Sequence, residues 1–183
     1  MDWTSFWANR TTNDSYSMTG FENWYSYEEY VNKIKDLSGI LKTNISNEES
    51  VVNIGGGNGF LESLCDFGTW KSFDANKQAC DESNGVVEHK VIHNPKEVLT
   101  KDSTLLMVST SFYFREVYIY DAIRFCKKTI LVDVTLQEDS LSMSTIGESH
   151  STLSVSKLML LGKQVTILPF SLVPFRKTVI IGE

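Results

Sequence analysis

The sequence is poor in the residues that mark several specialised protein classes. Its 183 residues include three prolines and three cysteines, and Cys65, Cys80 and Cys126 are widely spaced, with no CxxC pair. An odd number of scattered cysteines argues against a disulfide framework and against a structural zinc site. We therefore predict that all three are buried free thiols.

Runs of basic residues and long apolar runs are also missing. The net charge is -6 and the sequence contains no cluster of Lys or Arg, which argues against a nucleic-acid partner. No apolar run reaches transmembrane length, and the N-terminus has neither a basic region nor a continuous apolar core. We expect a soluble cytoplasmic protein that binds neither nucleic acid nor membrane.

What is present is an ordinary globular composition, with 42% hydrophobic and 22% charged residues. Such a chain is able to bury a full core, so we predict one domain, residues 1–183. Within it, residues 1–47 form an aromatic lid or helical segment, and residues 48–183 form the core. A homodimer is left open alongside a monomer.

The N-terminal segment is rich in aromatic residues. Nine of the chain's 21 aromatics lie in it: Trp3, Phe6, Trp7, Tyr16, Phe21, Trp24, Tyr25, Tyr27 and Tyr30. Trp3, Phe6 and Trp7 are interpreted as packing residues. Tyr16 and Trp24 lie in polar sequence and are interpreted as lid residues, with Trp24 a candidate substrate contact. From Tyr27 to Leu41, apolar residues recur every three or four positions, which predicts an amphipathic helix.

The rest of the chain alternates between strand and helix patterns, which predicts an α/β fold with a mainly parallel sheet. The expected strands are 50–54, 71–73, 86–92, 104–109 and 129–134, and the expected helices are 59–67, 76–83 and 117–127. The pattern of residues 149–183 predicts a helix over 153–161 and strands over 164–169 and 175–181. The last two strands should form an antiparallel hairpin.

One stretch, VVNIGGGNGF (residues 51–60), places four glycines in five positions directly after the first strand. A strand that leads through a glycine-rich turn into a helix presents backbone N–H groups to a ligand, so a cofactor site is expected there. The dinucleotide pattern GxGxxG fails, because its last position is Phe60 or Glu62. The Walker A pattern fails because no Lys-Ser/Thr pair follows.

The turn Asn53-Ile54-Gly55-Gly56-Gly57-Asn58-Gly59 resembles the D/E-x-G-x-G-x-G turn of class I S-adenosylmethionine-dependent methyltransferases. The resemblance covers residues 48–135 well and the remainder in outline. It implies a Rossmann-like, doubly wound fold with a mainly parallel seven-stranded sheet and an antiparallel C-terminal hairpin. It also implies S-adenosylmethionine as cofactor and S-adenosylhomocysteine as product.

The same resemblance implies a set of cofactor-binding residues. Asp74, at the end of the second strand, stands where such enzymes place a carboxylate that accepts hydrogen bonds from the ribose, although it could instead cap the following helix. The other expected cofactor contacts are Asn53, Gly55, Gly57, Gly59, Ala75, Asn94, Ser109 and Tyr16. Asn94 could equally form a plain turn before Pro95.

Two positions depart from the family pattern. Asn53 replaces the usual acidic residue, so the turn keeps an acceptor oxygen but loses the charge that would attract the cofactor's cationic end. The region around Asn94 lacks the usual Gly-Asp ending. A non-catalytic binding or regulatory relative therefore stays open as an alternative.

The sequence also limits the methyl acceptor. The N/D-P-P-Y/F signature of enzymes that methylate base amino groups is absent, and only Asp133 lies where metal-dependent relatives cluster carboxylates, so we predict a small-metabolite acceptor and no metal. The methyl group would go to an oxygen or nitrogen. His150 and Tyr113 are the candidate catalytic residues, with His93 a weaker candidate base, and Arg115 is a candidate substrate ligand that could equally pair with Glu116. A nicotinamide-dependent oxidoreductase is a second alternative, based on the glycines and Asp74 alone.

Overall fold

The computed structural model describes residues 21–136, 152–174 and 176–182. The chain divides into two compact units, Met1–Ile92 and His93–Glu183. Each unit is described by itself.

The first unit contains the predicted amphipathic helix, α1 (Tyr27–Asn44). Its N-terminus is closed by a capping box, in which Ser26 Oγ accepts a bond from the Glu29 N–H and the Glu29 carboxylate accepts one from the Ser26 N–H. The buried positions Tyr30, Ile34, Leu37 and Leu41 follow the predicted spacing. The helix ends at Asn44, three residues past the last apolar position of the predicted stripe, Leu41.

Three parallel strands follow: β1 (Ser50–Ile54), β2 (Thr69–Asp74) and β3 (Val87–His89). β2 pairs with β1 on one side and with β3 on the other. A short helix, α2 (Lys77–Glu82), connects β2 to β3. β1 matches its prediction at both ends, whereas β3 is shorter than the predicted 86–92.

The helix predicted over residues 59–67 is wrong. The only helical element there is a single 3-10 turn, Glu62–Leu64, which ends when the Cys65 N–H bonds to the Glu62 carbonyl. The preceding chain turns tightly, with the Gly59 N–H on the Gly56 carbonyl, and Glu62 directs its side chain into the interior. The apolar pattern of this segment reflects burial in irregular backbone.

The second unit begins with a 3-10 turn at Pro95–Glu97 and contains β4 (Ser103–Val108), a 3-10 turn at Ser111–Tyr113, α3 (Glu116–Phe125) and β5 (Lys128–Leu136). Its last part comprises β6 (Thr152–Leu153), α4 (Val155–Met159), β7 (Gln164–Leu168) and β8 (Lys177–Gly182). β4 and β6 pair with β5 in parallel, and β8 pairs with β5 and β7 antiparallel. The predicted C-terminal hairpin is therefore confirmed.

The predicted fold class, α/β and Rossmann-like with a mainly parallel seven-stranded sheet, is confirmed, with the two-residue β6 as an extra strand beside β5. The centres of β4 and β5 are continuous apolar runs, LLM and ILV, whose side chains are fully buried. Of the three thiols predicted to be buried, Cys80 and Cys126 are buried and Cys65 is half-buried. Burial raises the pKa of Cys80 to about 12 and that of Cys65 to about 11.

Among the described residues, no helix combines the length and the apolar character needed to cross a membrane.

Two exposed glycines provide a matched test of the backbone. Gly39 lies within α1, and Gly85 occupies the turn before β3 with a φ of 86°; a Cβ added at either would meet nothing within 4 Å. Gly39→Ala should raise the free energy of unfolding by about 0.5–1 kcal/mol, because alanine favours the helix. Gly85→Ala should lower it by about 1 kcal/mol, because alanine resists the left-handed conformation.

Urea denaturation of both variants measures these differences. Equal effects of the two substitutions would contradict the backbone conformations described for them.

Candidate functional site

The glycine turn is tied to the end of β2. The Gly55 and Gly56 N–H groups both donate to the Phe73 carbonyl, at 2.8 Å and 3.1 Å. The Gly57 N–H donates to Asp74 Oδ2 at 2.9 Å. Gly57 has a φ of 57°, in the left-handed region that favours glycine. The predicted pair of glycine turn and Asp74 is thus a direct contact.

Asp74 uses its two carboxylate oxygens differently. Oδ2 accepts from Gly57, and Oδ1 accepts from the Asn76 N–H at 2.8 Å. The cap of α2 is Asn76, whose Oδ1 accepts from the Ala79 N–H, so Asp74 is not the cap that the alternative required. Each Asp74 oxygen keeps a second lone pair, so both can accept further bonds. Burial raises the pKa of Asp74, while the Asn76 and Gly57 donors oppose the shift.

His89 lies beside this carboxylate and was missed by the sequence analysis. It pairs with Asp74 in the β2–β3 register, and its Nε2 lies 3.2 Å from the Ala75 carbonyl oxygen. The signal was available in the sequence, because residues at the ends of adjacent parallel strands meet at one edge of a sheet. His89 and the backbone of Ala75 extend the polar edge that starts at Asp74.

Behind the glycine turn lies a buried polar cluster formed by Asn53, Glu62 and Ser72. Asn53 Nδ2 donates to Glu62 Oε1 at 2.7 Å. Asn53 Oδ1, Glu62 Oε2 and Ser72 Oγ are buried and have no hydrogen-bond partner among the described residues. A Cβ at Gly56 would lie 2.9 Å from Glu62 Oε1, so this glycine provides the space for the carboxyl group.

The position of Glu62 changes how the missing acidic residue at position 53 is interpreted. The sequence analysis noted that the turn lacks its usual acidic residue, and the structure places a carboxyl group in contact with the substituted amide. Burial raises the pKa of Glu62, and the hydrogen bond from Asn53 opposes the shift. No sequence signal identified Glu62, because it was assigned to a helix whose periodicity did not predict an inward carboxyl group.

In the second unit, Ser109 and Asp133 form a buried pair at the ends of β4 and β5. Ser109 Oγ donates to Asp133 Oδ2, and Asp133 Oδ1 accepts from the N–H groups of Leu172 and Val173, at 2.6 Å and 3.0 Å. Asp133 is fully buried and has a φ of 65°, within a register shift between β5 and β8. Burial raises its pKa, and these donors oppose the shift.

The hydrogen bond between Ser109 and Asp133 limits how the Ser109 side chain could contact a cofactor. Its only hydroxyl proton is donated to Asp133, so towards a cofactor the side chain could act only as an acceptor. In the described part of the chain, no group of three or more His, Cys, Asp or Glu side chains could hold a metal ion. The absence of a metal stays a prediction.

Next to this pair, Arg176 and two aromatic residues form a second cluster. The Arg176 guanidinium carbon lies 4.6 Å from the centre of the Phe112 ring, and its Nη1 donates to the Asp133 carbonyl at 3.3 Å. The Phe112 and Tyr113 rings are 4.4 Å apart between centres. Tyr113, a predicted catalytic residue, thus lies in this cluster, whereas Arg176 was not identified from the sequence.

The remaining predicted site residues are dispersed. Arg115 is exposed at the start of α3, with its guanidinium carbon 5.9 Å from the centre of the Tyr118 ring. Asn94 caps the turn at Pro95–Glu97, where its Oδ1 accepts from the Lys96 N–H, which agrees with the turn alternative. Trp24 and His93 are exposed. Tyr16 and His150 lie outside the described residues.

Comparison with known proteins gives structural similarity without sequence similarity. No protein-family model matches the sequence, and no curated protein matches it. Magnesium protoporphyrin IX methyltransferase (ChlM) from Synechocystis PCC 6803 with bound SAH aligns with a TM-score of 0.58 over 92% of this chain and 95% of that chain, at 13% identity.

Two further solved structures are similar. DesVI of Streptomyces venezuelae aligns with a TM-score of 0.61 over 92% of this chain and 98% of that chain, at 9% identity. The plantazolicin methyltransferase BpumL in complex with SAH aligns with a TM-score of 0.57 over 100% of this chain and 94% of that chain, at 12% identity. Identities this low show a shared fold alone.

Glu62→Gln should change how stability depends on pH. The folded state raises the pKa of Glu62 above its ordinary 4.5, so its contribution to stability is complete below pH 4.5 and is lost as pH rises through the raised value. Glutamine keeps the contact with Asn53 and does not ionise. The variant should match the wild type at pH 4 and exceed its free energy of unfolding at pH 8 by on the order of 1 kcal/mol.

Urea denaturation at several pH values measures this difference. The matched control is Glu88→Gln, which removes an exposed carboxylate on β3. If the free energies of unfolding of Glu62→Gln and the wild type changed in parallel with pH, Glu62 would ionise in the folded state without loss of stability. That result would contradict the prediction.

Asp133→Ala should destabilise the second unit strongly. The substitution leaves one buried N–H group, one partly buried N–H group and the Ser109 hydroxyl without their acceptor, at a cost of about 3 kcal/mol or more. Asp133→Asn keeps one oxygen for the N–H groups and should cost less than half as much. Chemical denaturation measures both, with exposed Asp102→Ala as the control. A similar loss for the alanine and asparagine variants would contradict the assigned hydrogen bonds.

Proposed function

We propose that this chain, which has the fold of class I S-adenosylmethionine-dependent methyltransferases, binds S-adenosylmethionine and transfers its methyl group to an oxygen or nitrogen of a small metabolite. One observation carries the proposal: the Gly57 N–H bonds to Asp74 at the end of β2. This contact fixes a carboxylate beside a glycine turn, in the arrangement that suits an adenosine ribose. The shared fold of solved methyltransferases supports it.

Asp74 has the chemistry that ribose recognition requires. Ribose offers two neighbouring hydroxyl donors, and a carboxylate is a group that only accepts. Asp74 is positioned by Gly57 and Asn76, each of which occupies one lone pair of one oxygen. The two remaining acceptor sites can serve the two hydroxyl groups.

The turn suits this cofactor better than a dinucleotide. A bound pyrophosphate gains from the N-terminus of the helix that follows the glycines. After this turn the chain forms only the 3-10 turn Glu62–Leu64. S-adenosylmethionine carries no phosphate and does not need that helix terminus, so the oxidoreductase alternative loses support.

Methyl transfer from a sulfonium requires little of the protein beyond positioning of the reactants. S-adenosylmethionine would supply an activated methyl group on a sulfonium, which an acceptor could displace in line with the electron pair of the broken bond left on sulfur. The protein's part is to align the acceptor and to take its proton where it is an alcohol. Tyr113 is the described candidate for contact with the acceptor, and His150 remains the proposed base.

A second candidate function rests on the contact between Asn53 and Glu62. If a neutral Glu62 leaves the turn without negative charge, the attraction for the cofactor's cationic end is weakened. The fold could then serve as a binding or regulatory module without catalysis. This candidate predicts weak or undetectable cofactor binding.

Calorimetric titration with S-adenosylmethionine, S-adenosylhomocysteine and NAD tests the proposal. We expect dissociation constants in the micromolar range for both sulfur nucleotides and no binding of NAD. Asp74→Ala should weaken binding at least about tenfold, because two hydroxyl acceptors are lost. Asp74→Asn, which keeps one acceptor oxygen, should weaken it less.

The matched control is Asp81→Ala, which removes an exposed carboxylate on α2 that pairs with Lys77. Circular dichroism of each variant checks that the fold is kept. No binding of either sulfur nucleotide to the wild type would overturn the proposal in favour of the non-catalytic candidate, and preferential binding of NAD would favour an oxidoreductase.

A further inference from the structure

Arg176 is held in one orientation by two contacts of different kinds. Its guanidinium lies over the face of Phe112, 4.6 Å from the ring centre, and one end of the group, Nη1, donates to the Asp133 carbonyl. Phe112 is held in turn by the 3-10 turn Ser111–Tyr113, which closes through the bond from the Phe114 N–H to the Ser111 carbonyl. The planar group therefore has a defined position.

The charge of Arg176 is not balanced by a carboxylate within the described part of the chain. None of the ion pairs among those residues includes it. The nearby Asp133 uses its carboxylate on Ser109, Leu172 and Val173, and offers Arg176 only a backbone carbonyl. Arg176 is half-buried, and this burial lowers the pKa of its guanidinium, with Asp133 and Tyr113 opposing the shift.

A half-buried cation without a counter-ion has lost hydration without regaining it from an ion pair. A guanidinium has five N–H donors, and one bond to a carbonyl leaves most of them for another partner. The fork of donors matches two oxygens of one carboxylate or phosphate, and stacking of the guanidinium face on an aromatic ring leaves the donor edge available.

We propose that Arg176, positioned by Phe112 and the Asp133 carbonyl, binds the carboxylate or phosphate group of a small organic molecule. The neighbouring rings of Phe112 and Tyr113 would contact the apolar part of that molecule. That the molecule is the methyl acceptor rests on the proposed function. The binding of an oxyanion at Arg176 does not depend on it.

This inference replaces the role expected for Arg115. Arg115 is exposed and near Tyr118, so its side chain is neither desolvated nor held by a backbone acceptor among the described contacts. Exposed charges are weak anchors because water and salt screen them. Arg176 has the burial and the fixed orientation that selective anion binding needs.

The experiment compares benzoate with its neutral counterpart, benzamide, by NMR titration of the full chain. We expect benzoate to bind with a dissociation constant on the order of 1 mM and benzamide at least about tenfold more weakly. Arg176→Gln should abolish the preference for benzoate. Arg176→Lys, which keeps the charge but not the fork, should retain only part of it.

Arg124→Gln, at an exposed arginine paired with Asp121, is the matched control and should keep the full preference. The readout is the ratio of the dissociation constants for benzamide and benzoate, measured on the same variant. Partial unfolding weakens the apparent binding of both ligands equally, so it leaves this ratio unchanged. An unchanged ratio in Arg176→Gln, a loss in Arg115→Gln instead, or equal binding of benzoate and benzamide to the wild type would overturn the proposal, as would no binding at about 20 mM benzoate.

Two further arms separate the possible outcomes. Phenyl phosphate in place of benzoate shows whether the site takes a carboxylate, a phosphate or both. S-adenosylhomocysteine titrated into Arg176→Gln should bind as it does to the wild type. If the wild type binds benzoate through Arg176 but no sulfur nucleotide, the oxyanion site stands and the methyl-transfer function fails.

Discussion

A buried carboxyl group must either accept hydrogen bonds or carry a proton. In the described part of the chain, this constraint accounts for the irregular backbone around the buried acids. Removing an ionised carboxylate from water costs several kcal/mol unless N–H or O–H groups replace the lost hydration. Asp133 receives two backbone N–H groups and a hydroxyl, at a point where the strand departs from regular geometry with a φ of 65°. Glu62 receives one amide donor, and its pKa is raised accordingly.

The same constraint explains why the glycines cluster. Gly57 donates its backbone N–H to Asp74 with a φ in the left-handed region that favours glycine. Gly56 is needed because a Cβ there would meet the Glu62 carboxyl group. One glycine thus serves the carboxylate facing the proposed cofactor site, and its neighbour serves the carboxyl group behind the turn. Two of the four glycines in this stretch are therefore explained by two different acids.

How much the sequence could predict follows from the range of these contacts. The apolar spacing of α1, the limits of β1 and the closing hairpin depend on neighbours in the chain, and they were predicted well. Asp74 was identified because it ends the second predicted strand, where the resemblance to methyltransferases implies a carboxylate. Glu62 was not identified because it was assigned to a predicted helix, and Arg176 was not identified because its contact with Asp133 joins residues 43 positions apart. Periodicity predicts which face is buried and gives no information about which polar side chain is buried with it.

Asn53 shows how a departure from a sequence pattern can mislead when it is considered alone. The amide lacks the charge expected at that position, which suggested weak attraction for a cationic ligand. In the fold, Asn53 holds a carboxyl group 2.7 Å from its nitrogen, so the capacity for negative charge is displaced to Glu62. A cation arriving at the turn would lower the pKa of Glu62, because opposite charges favour each other's ionised forms. A cationic ligand at the turn would thus favour the ionised form of Glu62, and the negative charge missing from position 53 would be restored nearby only in its presence.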